Sequence, residues 1–155
     1  MVTIINDSIP STINGIQLTP LKQITDDRGA VLHMVKRNNL TSEFGEVYFS
    51  EVLPGKIKAW KRHKKMKQNF AVPFGRIKMA FFDDREQSAS NGILEELVIG
   101  RPDQYYLVHV PPLVWYGFQG LGDTPSILAN CADMVHDPNE SDTREPFDAK
   151  FLYQW

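Results

Sequence analysis

The chain has 155 residues, of which 42% are hydrophobic and 23% charged, and its formal net charge is −2. This length and composition predict one soluble globular domain with its own hydrophobic core, and the lack of a basic excess argues against nucleic-acid binding. The single cysteine, Cys131, excludes an internal disulfide and favours a reducing compartment, so we expect a cytoplasmic protein. Neither a signal-peptide pattern nor a run of about 18 apolar residues is present, and no membrane association is expected.

Segments with strand character recur along the chain at intervals of roughly 10–15 residues, with turn-forming residues between them. Turns are predicted at Asn14-Gly15 and at residues 26–29. The predicted strands span residues 2–5, 17–24, 30–36, 45–53, 93–99, 104–111 and 124–132. Because no amphipathic helix longer than about two turns is evident, the pattern predicts an all-β sandwich or barrel. The aromatic end of the tail 133–155 is expected to dock on the body or on a partner subunit.

Residues 54–84 form the stretch around which the other elements are arranged. We expect two or three consecutive strands here, folded as a hairpin with turns at Pro54-Gly55 and at residues 73–75. Side chains of a strand alternate between its two faces. One face of the first strand then carries Ile57, Ala59, Lys61 and His63, and the other carries Lys56, Lys58, Trp60 and Arg62.

The face with Ile57 and Ala59 is predicted to be the inner one, which turns Lys61 and His63 into the barrel. A buried lysine is costly unless it is paired, so an inward Lys61 is a functional candidate. The alternative is that the end of this strand emerges into solvent and that its charges only solvate the rim.

Positive charge is concentrated in the same stretch, although the whole chain is slightly acidic. Such a cluster predicts a local anion site suited to phosphate or diphosphate, and alternation with Ile57 and Trp60 ties it to an ordered strand. The alternative is a solvated charged face. The cluster consists of Lys56, Lys58, Lys61, Arg62, Lys64, Lys65 and Lys67.

Candidates outside this stretch carry less information. Tyr116, in the segment VWYGF, is a candidate proton donor or substrate contact, with a core aromatic residue as the alternative. His33 and His109 lie in apolar strands, where hydrogen-bonded structural positions are expected. Arg28, which follows two aspartates, is typical of a surface turn.

Six segments keep their order and spacing over most of the chain, roughly residues 24–148. They are DDRG at 26–29, EVYFS at 46–50, PGKIKAW at 54–60, HKKMKQ at 63–68, FDDR at 82–85 and VPPLVWYGF at 110–118. Together they resemble the cupin-fold dTDP-4-dehydrorhamnose 3,5-epimerase family and its sugar-nucleotide ketoisomerase relatives.

The resemblance implies a single-domain, cupin-type jelly-roll β-barrel, usually a homodimer, that binds a nucleotide-diphosphate 4-keto sugar at its open end. It also implies an epimerase of surface-polysaccharide biosynthesis, which removes the proton next to the keto group and returns a proton from the opposite face. Neither a metal nor another cofactor is implied. The alternatives are 3,4-ketoisomerisation on the same fold and an inactive sugar-nucleotide-binding homologue.

The sequence departs from the family at the catalytic positions. The family's histidine base aligns with Lys61, its interior lysine with Phe70 and its tyrosine acid near Ala129. Tyr116 stands where a further family histidine occurs. His63 matches the second histidine of the ketoisomerase motif.

A rebuilt catalytic site is therefore expected, in which His63 or Lys61 is the base and Tyr116 the acid. Lys61 alternatively stabilises the enolate. At the metal-ligand positions of metal-dependent cupins only His63 would be a good ligand, because the others are Lys61, Gln68 and Tyr116, so no metal is expected. The predicted substrate contacts are Arg28, Lys58, Arg62, Gln68 and Asn130.

Overall fold

The structure, a computed structural model, describes residues 9–39 and 43–155. Within these residues the chain is built from β-strands and turns, without a helix, as predicted. The predicted strand at residues 2–5 lies outside the described part. The strands are β1 (Ile9–Pro10), β2 (Gln17–Pro20), β3 (Gln23–Asp26), β4 (Gly29–Leu32), β5 (Glu46–Val52), β6 (Ile57–His63), β7 (Gln68–Phe74), β8 (Arg76–Asp83), β9 (Leu94–Gly100), β10 (Tyr106–Val110), β11 (Val114–Leu121), β12 (Ser126–Ala132) and β13 (Ser141–Thr143).

Two antiparallel sheets make up the body of the molecule. The six-stranded sheet has the order β1-β2-β10-β7-β12-β5, and the five-stranded sheet has the order β13-β6-β11-β8-β9. Strands β3 and β4 form a separate two-stranded hairpin whose turn lies at the predicted residues 26–29. Two antiparallel sheets connected in this way form a jelly-roll sandwich, which confirms the predicted architecture.

The stretch 54–84 is not a hairpin, which corrects the prediction. Strand β6 belongs to the five-stranded sheet, β7 to the six-stranded sheet, and β8 again to the five-stranded sheet. The chain therefore crosses between the sheets at each connection, and β11 separates β6 from β8. The turn at Gly75 needs glycine, because its φ is +79° and an added Cβ would lie 2.3 Å from Ser126 Oγ.

Two other strand predictions change at their ends. The predicted strand 17–24 is split into β2, which ends at Pro20, and β3, which begins at Gln23. The chain after Pro20 leaves the six-stranded sheet, and β3 pairs with β4 instead. The predicted strand 30–36 ends already at Leu32.

The hydrophobic core lies between the two sheets. Ile77, Met79 and Phe81 point inward from β8 and are fully buried, as strand alternation requires. Phe70 from β7 and Phe118 from β11 meet there with ring centroids 5.3 Å apart. Each apolar side chain buried in this way contributes about 1.5–3 kcal/mol.

A second cluster covers the outer face of the five-stranded sheet, and we call it the outer aromatic cluster. Phe151 stacks on Trp60 with ring centroids 4.2 Å apart and contacts Trp115 edge-on. The C-terminal residues Tyr153 and Trp155 also pack on Trp60. The cluster consists of Trp60, Ala80, Trp115 and Phe151, with Ala59, Phe82, Tyr153 and Trp155 packed against them. No helix in the described ranges is long and apolar enough to cross a membrane.

Candidate active site

Strand β6 contains an irregularity that decides which of its side chains face inward. Lys61 lies opposite Tyr116 of β11, and Lys58 lies opposite Phe118, so two residues of β6 oppose Gly117 alone. Two residues of one strand opposite a single residue of the neighbouring strand form a β-bulge. Cross-strand partners share a face, and since Tyr116 and Phe118 point into the core, Lys58 and Lys61 face inward with them.

The bulge corrects the simple alternation predicted for this strand. Ala59, predicted to be inside, and Trp60 both belong to the outer aromatic cluster. Lys58, predicted for the outer face, lines an internal cavity together with Lys61. A Cβ at Gly117 would lie 2.5 Å from the Cβ of Ala59, so only glycine fits opposite the bulge.

The cavity has a volume of about 360 Å³ and lies between the two sheets. Strand β5 contributes Tyr48 and Ser50 from the six-stranded sheet, and β6 contributes Lys58 and Lys61 from the opposite one. Exposed Lys58 stands at its rim, so the cavity is open to solvent. The described lining residues are Tyr48, Ser50, Lys58, Ala59, Trp60, Lys61, Phe70, Tyr116, Phe118, Leu128 and Thr143.

The charge of this cavity is positive. Of the described residues in its lining, Lys58 and Lys61 are charged and none is a carboxylate. Lys58 Nζ donates a hydrogen bond to Ser50 Oγ at 2.9 Å, which links the two sheets at the rim. Among the residues that the structure describes, neither lysine forms an ion pair. The cavity therefore suits an anionic ligand.

A larger depression of about 970 Å³ lies on the outer face, around Arg62 and Trp115. Arg62 stacks on Trp115 at 4.6 Å and forms ion pairs with Asp84 and Asp142. Because both arginines that line it, Arg62 and Arg144, are already paired with carboxylates, this surface offers less to an anion than the internal cavity does. We place the candidate active site in the internal cavity.

His63 lies behind the cavity wall rather than on it. Its Nδ1 is 2.5 Å from Glu140 Oε2, and its Nε2 is 3.1 Å from the hydroxyl of Tyr116. A carboxylate only accepts, so Nδ1 carries the hydrogen and Nε2 accepts the Tyr116 O–H. Burial lowers the pKa of His63, although Glu140 opposes this, and the neutral imidazole matches that arrangement.

Glu140 is a residue of this site that the sequence did not single out. Burial favours its neutral acid, but hydrogen bonds from the backbone N–H groups of Lys65 and Met66 and from His63 hold the pKa of Glu140 below its ordinary value. It lies in a polar loop 77 positions from His63. No local signal marks such a contact.

A chain of buried amides joins Tyr116 to the far wall of the cavity. The Tyr116 hydroxyl lies 3.4 Å from Gln68 Oε1, which accepts a hydrogen bond from Asn130 Nδ2 at 2.8 Å. Asn130 Nδ2 also donates to the Tyr48 hydroxyl at 2.9 Å. Burial raises the pKa of both tyrosines. Tyr48, like Glu140, was not a sequence candidate.

The predicted site residues thus fall into three groups. Lys58, Lys61 and Tyr116 line the cavity. The second group lies directly behind its wall and comprises His63, Gln68 and Asn130. Arg62 lies on the outer face, and Arg28 is exposed at the tip of the β3–β4 hairpin, paired with Asp26. In the described ranges, no three His, Cys, Asp or Glu side chains converge as a metal site would require.

Comparison with known proteins places the chain among sugar-modifying enzymes, although no family model matches the sequence. The probable low-salt glycan biosynthesis epimerase Agl13 of Haloferax volcanii is 32% identical over 142 residues, which are 88% of this chain and 89% of that protein. A dTDP sugar isomerase of Desulfovibrio desulfuricans G20 is 50% identical, with a TM-score of 0.87 over 93% of this chain and 92% of that one.

A more distant solved structure shows the fold. The dTDP-6-deoxy-D-glucose-3,5-epimerase RmlC of Legionella pneumophila, in complex with dTDP-4-keto-L-rhamnose, superposes with a TM-score of 0.84 at 16% identity. The superposition covers 96% of this chain and 82% of that one, which confirms the cupin-type jelly roll. With its relatives at 32% and 50% identity, this enzyme belongs to the cupin-fold family of dTDP-sugar epimerases and isomerases.

Proposed function

We propose that the enzyme epimerises a nucleoside-diphosphate 4-keto sugar at a carbon next to the keto group, in the biosynthesis of a surface polysaccharide. The observation that carries this proposal is the pair of inward lysine side chains, Lys58 and Lys61, in a cavity whose lining, among the described residues, holds no carboxylate. A diphosphate and an enolate are both anionic, and such a cavity stabilises both. The names of the relatives support the substrate class and the pathway.

Lys61 is assigned as the base, acting as an unprotonated amine. It takes the proton from the carbon next to the keto group, the electron pair of the C–H bond becomes the enolate, and the amine becomes an ammonium. That ammonium then lies beside the negative charge that it has created. Lys58, at the rim of the cavity and bonded to Ser50, is assigned to the diphosphate.

His63 reaches the substrate only through Tyr116, because it is buried behind that side chain. We assign it, with Glu140, to hold the Tyr116 hydroxyl in place. The competing assignment makes His63 the base. A 3,4-ketoisomerase is the second candidate, and the match of His63 to the ketoisomerase motif is the observation that favours it.

The test uses dTDP-4-keto-L-rhamnose and other nucleoside-diphosphate 4-keto sugars in D₂O, with NMR to follow deuterium entry at each sugar carbon. The wild-type protein should exchange and invert a carbon next to the keto group. Lys61→Met should abolish exchange, while Lys56→Met, which removes an exposed lysine outside the cavity lining, should keep it. Movement of the keto group to C3 identifies a ketoisomerase.

Two other results separate the alternatives. Loss of exchange in His63→Gln with exchange kept in Lys61→Met makes His63 the base. Wild-type protein that binds dTDP but exchanges no proton in any of these sugars is a binding homologue, and the proposal is then wrong.

We further propose a homodimer in the cytoplasm. Strand β5 is an edge of the six-stranded sheet and exposes Val47 and Phe49, and the β3–β4 hairpin exposes Ile24 and Val31. A second copy covering these strands would remove both the free edge and the apolar surface. Light scattering should give twice the chain mass, and Phe49→Lys should halve it; a wild-type monomer contradicts the dimer.

Buried Cys131 without a disulfide is compatible with the cytoplasm.

A further inference from the structure

We propose that Tyr48 is the proton donor of the reaction, the group that protonates the enolate on the face opposite Lys61. This inference rests on the proposed epimerase function and adds a catalytic residue to it. It replaces Tyr116, the tyrosine that the sequence motif suggests.

The position of Tyr48 fits this role because it faces the lysines across the cavity. It projects from β5 in the six-stranded sheet, whereas Lys58 and Lys61 project from β6 in the five-stranded sheet. Tyr48 projects from the same face of β5 as Ser50, which lies two residues further along the strand and accepts a hydrogen bond from Lys58. Tyr48 is 38% exposed, so a ligand in the cavity has access to it.

Among the residues that the structure describes, the hydrogen bonds leave the Tyr48 proton free for a ligand. Asn130 Oδ1 accepts the backbone N–H of Asn69, and this fixes the amide with Nδ2 as the donor. One Nδ2 hydrogen goes to Gln68 and the other to the Tyr48 oxygen. Since the Tyr48 oxygen is the acceptor in this bond, its own O–H is available to point into the cavity.

Tyr116 is in the opposite situation. Glu140 accepts the hydrogen of His63 Nδ1, so Nε2 accepts a hydrogen bond from the Tyr116 hydroxyl. Tyr116 is 5% exposed, and its hydroxyl is directed at groups behind the wall. It presents an aromatic ring to the cavity, whereas Tyr48 presents a proton.

The chemistry balances with Tyr48 as the acid. After Lys61 has taken the first proton, the electron pair of the enolate forms a new C–H bond with the Tyr48 proton on the other face, and a phenolate remains. The Asn130 hydrogen bond stabilises that phenolate, and burial raises the pKa of Tyr48, so the phenol is the resting form. Proton transfer from Lys61 to solvent and from solvent to Tyr48 restores the enzyme.

Tyr48→Phe separates the two proton transfers. In D₂O, proton abstraction by Lys61 continues, and an ammonium with three equivalent hydrogens returns a deuteron to the original face about two times in three. We expect deuterium to enter the substrate with retention, while inversion falls by roughly 10²–10⁴-fold. Tyr153→Phe, the same change on the outer face of the sheet, is the matched control and should invert like the wild type.

Every other result contradicts the assignment. Inversion at the wild-type rate in Tyr48→Phe, or loss of exchange together with inversion, excludes Tyr48 as the donor. Exchange with retention in Tyr116→Phe, and not in Tyr48→Phe, makes Tyr116 the donor. If the wild-type protein itself exchanges no proton, the epimerase function fails first and the donor assignment falls with it; circular dichroism confirms that each variant is folded.

Discussion

His63 Nδ1 lies 2.5 Å from Glu140 Oε2, and both side chains are only 5% exposed. The carboxylate also accepts the backbone N–H groups of Lys65 and Met66, so each of its oxygens is occupied. Glu140 directly precedes β13, the short strand that pairs with the end of β6. This buried hydrogen bond thus joins the tail of the chain to the strand that carries the candidate base.

Glu140→Gln should destabilise the protein and reverse the hydrogen bonds around His63. The amide oxygen still accepts backbone N–H groups, but the amide nitrogen donates toward Nδ1, so the imidazole hydrogen moves to Nε2. Loss of a charge-assisted hydrogen bond costs about 1.5–3 kcal/mol. Urea denaturation measures the free energy of unfolding, and ¹⁵N NMR of the imidazole reports the tautomer.

Glu145→Gln is the control for this change, because Glu145 is exposed in the same tail. It should alter the free energy of unfolding by less than about 0.5 kcal/mol. An unchanged His63 tautomer in Glu140→Gln would show that the carboxylate does not set the orientation of the imidazole.

Stability should fall as the pH drops below about 6.5, the ordinary pKa of histidine. Burial lowers the pKa values of His63 and His109 in the folded protein, so the unfolded chain binds protons that the folded chain does not. When the unfolded chain binds more protons than the folded chain, the free energy of unfolding increases with pH and decreases on acidification. Denaturation at pH 7.5, 6.5 and 5.5 should show this slope, and His63→Gln and His109→Gln should each reduce it. A wild-type free energy of unfolding that increases toward pH 5.5 would contradict this predicted decrease.

The fold was predictable because strand alternation is visible in single segments. Ile77, Met79 and Phe81 point to the core from β8, while Ala80 and Phe82, which alternate with them, belong to the outer aromatic cluster. Which strands pair is set by contacts far apart in the chain, and so β6, β7 and β8 were wrongly expected to form a hairpin.

The candidate site was predictable only in part. Lys61 was expected to face inward from an alternation that fails at Ala59, since the bulge opposite Gly117 shifts the pattern by one residue. The shift also brings Lys58 inward, which no local pattern indicates. Glu140 and Tyr48 depend on hydrogen bonds to His63 and Asn130, residues distant in sequence, so their surroundings exist only in the folded chain.

Lys58→Met should weaken the binding of dTDP without unfolding the protein. Its ammonium is exposed at the rim of the cavity, where it can contact a diphosphate. The loss of a contact that contributes about 1.4 kcal/mol lowers the affinity tenfold. We expect at least this change by calorimetry and a weaker dependence of affinity on salt. Lys56→Met should match the wild type, and equal dTDP affinity in both variants would place the diphosphate elsewhere.

Phe151→Ala should be among the most destabilising changes in the tail. Phe151 is 3% exposed, stacks on Trp60 and meets the edges of Trp115 and Phe82, so truncation leaves a cavity inside the outer aromatic cluster. Truncation of a buried phenylalanine costs about 3–5 kcal/mol. Its neighbour Leu152 is 91% exposed, and Leu152→Ala should change stability by less than about 0.5 kcal/mol.

The same variant tests whether the tail supports the active site. Trp60 belongs to the cluster and also lines the cavity beside Lys61, and its backbone N–H donates to the carbonyl of Arg144 in the tail. If the tail holds β6 in place, Phe151→Ala should reduce dTDP affinity at a temperature where calorimetry shows it folded. Unchanged affinity in the folded variant would mean that β11, on the other side of β6, is sufficient to keep the lysines in position.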